Sequence, residues 1–281
     1  MTIHDLLKLA AKKLTNSTSR ELDGEVLLSY VLKKPKEYLF ANPYKKIAPK
    51  LEKTYLRLIN RRLLGWPVAY LVKHKEFFGL DFYVDKNVLI PRPETEGLVE
   101  LALDTLKIEN RKWKILDVGT GSGCIIISLA KNLSSLHPAP SILSFASDIS
   151  PQAIKIAKKN AKKYKVKVTF GDGNLLEPWG GEKFDVIVAN LPYLSRETDA
   201  STKYEPKGAL IAAKKGLKLY EELFKQASRL QPQTSHLFLE IGRDQGRLIK
   251  NLAKKYLPDY RTKTYKDLFG RTRYAKVVKP S

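Results

Sequence analysis

The stretch WKILDVGTGSG, residues 113–123, decides the fold. A mostly apolar run ends at Val118, and three glycines follow at alternate positions, Gly119, Gly121 and Gly123. A short apolar run stopped by glycine reads as a buried strand. Glycine lets the backbone turn tightly and come close to a ligand. The helix expected next points its free N–H groups at that ligand. Because Cys124 follows Gly123, the spacing is G-x-G-x-G. That argues against the G-x-G-x-x-G pyrophosphate fingerprint of a nicotinamide cofactor. Taken alone, the turn is equally a tight strand–helix connection.

Downstream the pattern repeats. Strands are expected at 113–118, 142–147, 166–170, 184–189, 236–241 and 273–278, and helices at 94–107, 122–133, 151–164, 216–230 and 244–256. This alternation predicts an α/β fold, a parallel sheet with helices on both faces, with ligands at the carboxyl ends of the strands. The second strand ends in SDIS (147–150), where the Asp148 carboxylate is placed to accept two ribose hydroxyls or simply to cap a helix. Pro151 suits the first turn of the next helix. The third strand ends in FGDGNLL (170–176), where Asp172 meets an adenine amino group or makes a turn. One bound nucleoside would touch all three strand ends.

The fourth strand, FDVIV, runs into ANLPY (189–193). A reaction at such a strand end needs a positioned nucleophile above all. Acceptors gripping both N–H bonds of a planar nitrogen aim it. Asn190 offers an amide oxygen and residue 191 a carbonyl. Pro192 restrains residue 191 to an extended backbone, and Tyr193 offers a flat face. The alternative is a strand-ending turn.

Upstream, apolar positions recur at helical spacing: Ile3, Leu6, Leu7, Ala10 and Leu14, then Leu22, Val26, Leu27, Tyr30 and Val31 behind a Ser19 cap, then Leu51, Tyr55, Leu58, Ile59 and Leu63. Residues 1–65 are expected to form a helical N-terminal domain that docks the substrate. Residues 66–93, rich in aromatic and β-branched residues, are expected to form a β-hairpin linker, and residues 94–281 the catalytic domain.

The chain of 281 residues carries a net charge of +22. Residues 1–90 hold 17 basic and 9 acidic residues, so the excess is spread along the chain. It fits an anionic partner such as RNA or a lysine-rich genome. One cysteine and four scattered histidines imply neither an internal disulfide nor a metal site. With no membrane span and no signal pattern, a cytoplasmic protein is expected.

Together the glycine loop, Asp148, Asp172 and Asn190 resemble the class I S-adenosylmethionine-dependent methyltransferases. The resemblance implies a Rossmann-like, mostly parallel seven-stranded sheet. Leu191 leaves the substrate open, because N-L-P-Y is the usual form in rRNA adenine dimethyltransferases and N-P-P-Y in the glutamine enzymes. In the rRNA enzymes the glycine loop lies near the N-terminus, whereas here residues 1–112 precede it. The blocks GWPVAYL, KEFFGLDFYV and LIPRPETE within 61–100, then EPKGAL (205–210), LEIGRDQG (239–246) and DLFGRTR (267–273), closely resemble the HemK/PrmC family. These are the release factor glutamine N5-methyltransferases.

That resemblance implies methyl transfer from S-adenosylmethionine, leaving S-adenosylhomocysteine, to the glutamine of the Gly-Gly-Gln loop of class I release factors. It implies that Gly119, Thr120, Gly121, Ser122 and Gly123 form the cofactor loop. Asp148 would bind ribose, and Asp172 with Gly173 would border the adenine. Asn190, Leu191, Pro192 and Tyr193 would hold the substrate amide, with Asn190 also beside the donor. Arg92, Pro93, Glu94 and Thr95 would close the pocket. A monomer is expected. Lys214 and Lys215 stand where the family is Gly-rich and acidic. The alternative is an adenine or guanine amino methyltransferase acting on a nucleic acid base flipped onto Tyr193. A binding module that keeps the fold without activity would not need Asp148, Asp172 and Asn190 together.

Overall fold

The structure, a computed structural model, describes all residues except 108–111, 135–141, 194–199, 211–215, 230–233 and 281. Lys214 and Lys215 therefore lie outside the described residues. The chain divides into two compact units. The first is Met1–His74 with the 3-10 turn Ala200–Tyr204; the second holds the remaining residues.

The first unit contains α1 (Ile3–Lys13), α2 (Arg20–Leu32), α3 (Lys36–Ala41), α4 (Pro49–Leu63) and α5 (Val68–Val72). Helix α1 starts at a capping box. The Thr2 hydroxyl accepts the Asp5 N–H at 3.2 Å, and the Asp5 carboxylate accepts the Thr2 N–H at 2.9 Å. Ile3, Leu6, Ala10, Leu27, Leu28, Tyr55, Ile59 and Leu71 form the core. Of the apolar positions expected inside, Leu22, Tyr30, Leu51 and Leu63 are exposed. Ser19 is the N-cap of α2, but no helix N–H donates to its hydroxyl, which donates to Asp23.

The hairpin occupies only part of 66–93. Strands β1 (His74–Phe77) and β2 (Leu80–Tyr83) form it, while the preceding VAYLV is the helix α5. Leu71 and Val72 bury themselves in the helical core, and that packing overrides the β-propensity of the run. The first unit thus extends past residue 65 to His74.

The second unit contains α6 (Pro93–Leu106), β3 (Trp113–Val118), α7 (Cys124–Ser134), β4 (Ile142–Asp148), α8 (Pro151–Tyr164), β5 (Val168–Asp172), β6 (Val186–Ala189), α9 (Lys218–Arg229), β7 (His236–Glu240), α10 (Gly246–Tyr256), β8 (Arg261–Lys266) and β9 (Thr272–Val278). Its seven-stranded sheet has the order β5-β4-β3-β6-β7-β9-β8. The first five strands run parallel, and β9 pairs antiparallel with both β7 and β8. Alternate side chains of each central strand enter two cores. Ile115, Val186, Val188 and Phe238 pack in one with α6 and α7; Leu116, Ile187, Leu237 and Leu239 pack in the other with α9 and α10. Burial on both faces explains the nearly continuous apolar runs. The strand order reverses between β3 and β6, the switch point where open α/β sheets bind ligands.

Strand β8 was not expected. Its sequence, RTKTYK, alternates threonine with cations and offers the core only Tyr265. It sits at the sheet edge, where lysine blunts an exposed strand at no cost to a core.

In the first unit, Asp23 is buried, only 6% exposed, and accepts from Arg62 Nε and Ser17 at 2.7 Å and from Ser19 at 3.0 Å. Asp23→Ala leaves the guanidinium without its charge partner. A loss of about 3 kcal/mol in unfolding free energy is expected, measured by chemical denaturation.

Candidate active site

The glycine loop is clipped to the neighbouring strand. The N–H groups of Gly119 and Thr120 both donate to the Ser147 carbonyl, at 2.9 and 3.0 Å. Gly119, Gly121 and Gly123 all have positive φ, 74°, 54° and 81°, which favours glycine at each. At Gly123 the space is also filled, since a Cβ would meet Ile127 at 3.0 Å and Ala157 at 3.2 Å. The Thr120 hydroxyl turns inward and donates to Asp117 at 2.7 Å, and Ser122 is buried. Of the five loop residues, Gly119 and Gly121 line the cavity.

That cavity, about 380 Å³, lies at the carboxyl ends of β3, β4, β5 and β6. Asp148 lines it. One carboxylate oxygen accepts the Gly121 N–H at 2.8 Å and the other the Ser150 N–H at 2.9 Å. Burial pushes the Asp148 acid up, against the pull of those two N–H groups. The cap of α8 is Ser150, whose hydroxyl accepts the Ala153 N–H. Asp172 pairs in register with Asp148 and is exposed; it lies outside the cavity lining, while Gly173 is within it. Ile149, 72% exposed, leaves an apolar side chain at the cavity.

Asn190, Leu191 and Pro192 form a further part of the wall. The Asn190 amide nitrogen donates to the Thr95 hydroxyl at 3.0 Å. Leu191 is buried, and its side chain reaches over Gly119. Tyr193 is not in the lining. Its hydroxyl donates to Glu240 Oε1 at 3.2 Å and receives a hydrogen bond from Arg273 at 3.3 Å. Its carbonyl accepts from Gln245 at 3.2 Å. The ring expected to meet the substrate is thus tethered through its hydroxyl and its own backbone carbonyl. The Tyr220 hydroxyl lies against two carbonyls, Glu240 and, at 3.2 Å, Leu191. A phenol has one proton, so it serves one carbonyl at a time.

The four residues expected to close the pocket, Arg92–Thr95, are absent from its lining; Asn87, Val88 and Leu89 take that place. Arg92 instead pairs at 2.5 Å with Glu205, which is buried and also accepts the Ile90 N–H at 3.1 Å. This ties the chain before α6 to the 205–210 segment, whose Pro206, Gly208 and Ala209 line the cavity. The sequence reading missed the roles of Glu205, Tyr220, Arg273 and Glu240. For Glu240 a signal existed. It ends the apolar run HLFLE as Asp148 ends its own strand, and a carboxylate closing a buried strand needs a reason.

Residues 5–72 match the PrmC N-terminal domain and residues 98–241 the methyltransferase small domain. The release factor glutamine methyltransferase of Bacillus anthracis is 33% identical, covering 97% of this chain and 98% of its own. That of Clostridium acetobutylicum is 37% identical, covering 90% of each. The chain belongs to the release factor glutamine methyltransferase family. A methyltransferase of known structure from Pyrococcus furiosus, 18% identical, covers 79% of this chain and 98% of its own at a TM-score of 0.53, and shows the shared fold.

Beneath the loop, burial pushes the Asp117 acid up to about 7, while hydrogen bonds from Thr120 and the Ile126 N–H pull it down. The folded chain then keeps a proton that the unfolded chain has released. Stability from this group is greatest at acid pH and falls as pH rises from 3.8 to about 7. Asp117→Asn should flatten the fall, so its melting temperature should gain on the parent between about pH 5 and 8. Calorimetry across that range checks this.

Proposed function

We propose that this methyltransferase moves a methyl group from S-adenosylmethionine to the side-chain amide nitrogen of the glutamine in the Gly-Gly-Gln loop of class I release factors. The observation that carries it is Asn190 in the cavity wall with its NH₂ turned to Thr95, in a chain alike over nearly its whole length to enzymes named for this reaction.

The cavity fits the donor. Glycines at 119 and 121 leave room for a ligand against the backbone, Asp148 offers carboxylate lone pairs for ribose hydroxyls, and Gly173 and Ile149 present small and apolar surface suited to adenine. Asp172, exposed beside Asp148, is within the same strand-end group and would meet the adenine amino edge. When bound, S-adenosylmethionine supplies a methyl on a sulfonium; its S–C bond breaks as a C–N bond forms, and the amide proton leaves to solvent.

The chain's own residues do the positioning. With its nitrogen occupied, Asn190 turns its oxygen toward the substrate amide as an acceptor. The Leu191 carbonyl is the second acceptor whenever the Tyr220 proton points to Glu240, and Pro192 keeps that carbonyl in place. Two acceptors fix the amide plane and supply the orientation that in-line attack requires. No side chain has to act as general base. We also propose that the helical unit docks the body of the release factor and that the enzyme works as a monomer in the cytoplasm. Among the described residues no helix is long and apolar enough to cross a membrane.

Radiolabelled S-adenosylmethionine should label a purified release factor, but neither its Gln→Ala variant nor rRNA; label on rRNA would point to a base as the substrate. Asn190→Ala should lower kcat by about 100-fold with cofactor affinity nearly unchanged. Asp148→Ala should instead weaken cofactor binding, read by calorimetry.

A further inference from the structure

The parallel ladder between β6 and β7 ends at Ala189 and Leu239, and Asn190 of the substrate motif comes next in the chain. Pro192 carries no N–H, so a ladder bond cannot be donated from residue 192. Beyond the proline, the Tyr193 carbonyl is gripped again. It accepts from Gln245 Nε2 at 3.2 Å, while Gln245 Oε1 accepts the Gly242 N–H at 2.8 Å, just past the end of β7. Only an oxygen can accept that N–H, so the NH₂ of the same amide must face Tyr193. The Gln245 side chain thus does what one more peptide unit would do in the ladder, accepting at one end and donating at the other.

The bridge is built in, not incidental. Gln245 is only 7% exposed. Its own N–H donates to the Gly242 carbonyl and its carbonyl accepts the Ile249 N–H, both at 2.9 Å, so the side chain starts from a fixed point. Gly242 is bare where the amide lies, since a Cβ there would meet Gln245 Cδ at 3.1 Å. Gly216, buried and with a φ of 77°, packs against the joint itself. A Cβ there would overlap the Tyr193 carbonyl and lie 2.7 Å from Gln245 Nε2.

We propose that Gln245 is a positioning residue for methyl transfer: its side-chain amide carries the β6–β7 ladder across Pro192 and fixes the Tyr193 carbonyl, with Gly216 leaving the space for that joint. Asn190, Leu191 and Pro192, the motif residues that line the cavity, are then strung between two held points, Ala189 and Tyr193. Holding both ends removes backbone freedom that substrate binding would otherwise have to remove, and it keeps the acceptors aimed. A glutamate at 245 shows what the amide supplies. It is nearly the same shape and still accepts the Gly242 N–H. Ionised, however, its second oxygen meets the Tyr193 carbonyl with no proton between two acceptors, and the joint is pushed apart.

The role rests on the amide reading of the site, and the test separates the two. In the enzyme alone, hydrogen exchange at the Gly242 N–H should be slow in the parent and in Gln245→Glu, and fast in Gln245→Met. With a release factor as substrate, Gln245→Glu should lose about tenfold or more in kcat, with its melting temperature and its affinity for S-adenosylmethionine close to those of the parent. Gly216→Ala should lose at least as much; should it fail to fold, Gln245→Glu still decides the matter. Full turnover by Gln245→Glu, a kcat loss matched by an equal loss of donor affinity, or Gly242 exchange as fast in the parent as in Gln245→Met would each overturn the proposal. Methyl transfer by the parent to rRNA and not to the release factor would overturn the glutamine reading, while the exchange measurement, which needs no substrate, would still decide the bridge.

Discussion

Two N–H groups sharing one carbonyl, that of Ser147, hold the catalytic end of this molecule together. The clip bends the chain over the end of β4 as soon as β3 stops, and everything at the cavity is arranged relative to it. Gly121 is delivered to the Asp148 carboxylate, Thr120 is turned down onto Asp117, and the backbone of 119–121 is left facing the cavity. Residue types follow from that bend. Positive φ calls for glycine at 119, 121 and 123, and the closeness of Ile127 and Ala157 excludes a side chain at 123 on grounds of space as well.

The parts of this architecture legible in the sequence are those governed by local rules. Apolar runs ended by glycine or by a carboxylate announce β3, β4 and β5 with their loops, and proline announces the start of α8. What escaped reading depends on distant partners. VAYLV has the composition of a strand and becomes helix α5 because Leu71 and Val72 find a core made by other helices. RTKTYK offers only Tyr265 to a core and becomes a strand because β9 offers it a ladder. Glu205 and Glu240 are buried acids whose partners, Arg92 and Tyr193, lie far off in sequence. The reading also placed Arg92–Thr95 on the cavity wall, where the structure has 87–89. The segment holds the site from behind, and sequence proximity to a site does not distinguish support from lining.

Leu191 illustrates the same separation. As a bare substitution in the motif it suggests another substrate. In the structure its side chain serves packing, over Gly119 and among the α9 and α10 core, and its carbonyl lies against the Tyr220 hydroxyl. The acceptor proposed for the substrate belongs to the backbone and is indifferent to the side chain attached. What changes is the neighbourhood of the glycine loop, where a branched aliphatic group now covers the first glycine.

The strand order has a consequence for synthesis of the enzyme. Strand β9 is laid between β7 and β8, and it carries the arginine that reaches Tyr193. Until β9 leaves the ribosome, β7 presents a bare edge, β8 has nothing to pair with, and the Glu240 cluster lacks its only guanidinium among the described contacts. A chain stopped before Thr272 already holds every residue that bonds the glycine loop to Ser147 and Asp148, and still lacks the arginine that reaches Tyr193. The Asp148 end and the Tyr193 cluster thus depend on parts of the chain made at different moments of translation.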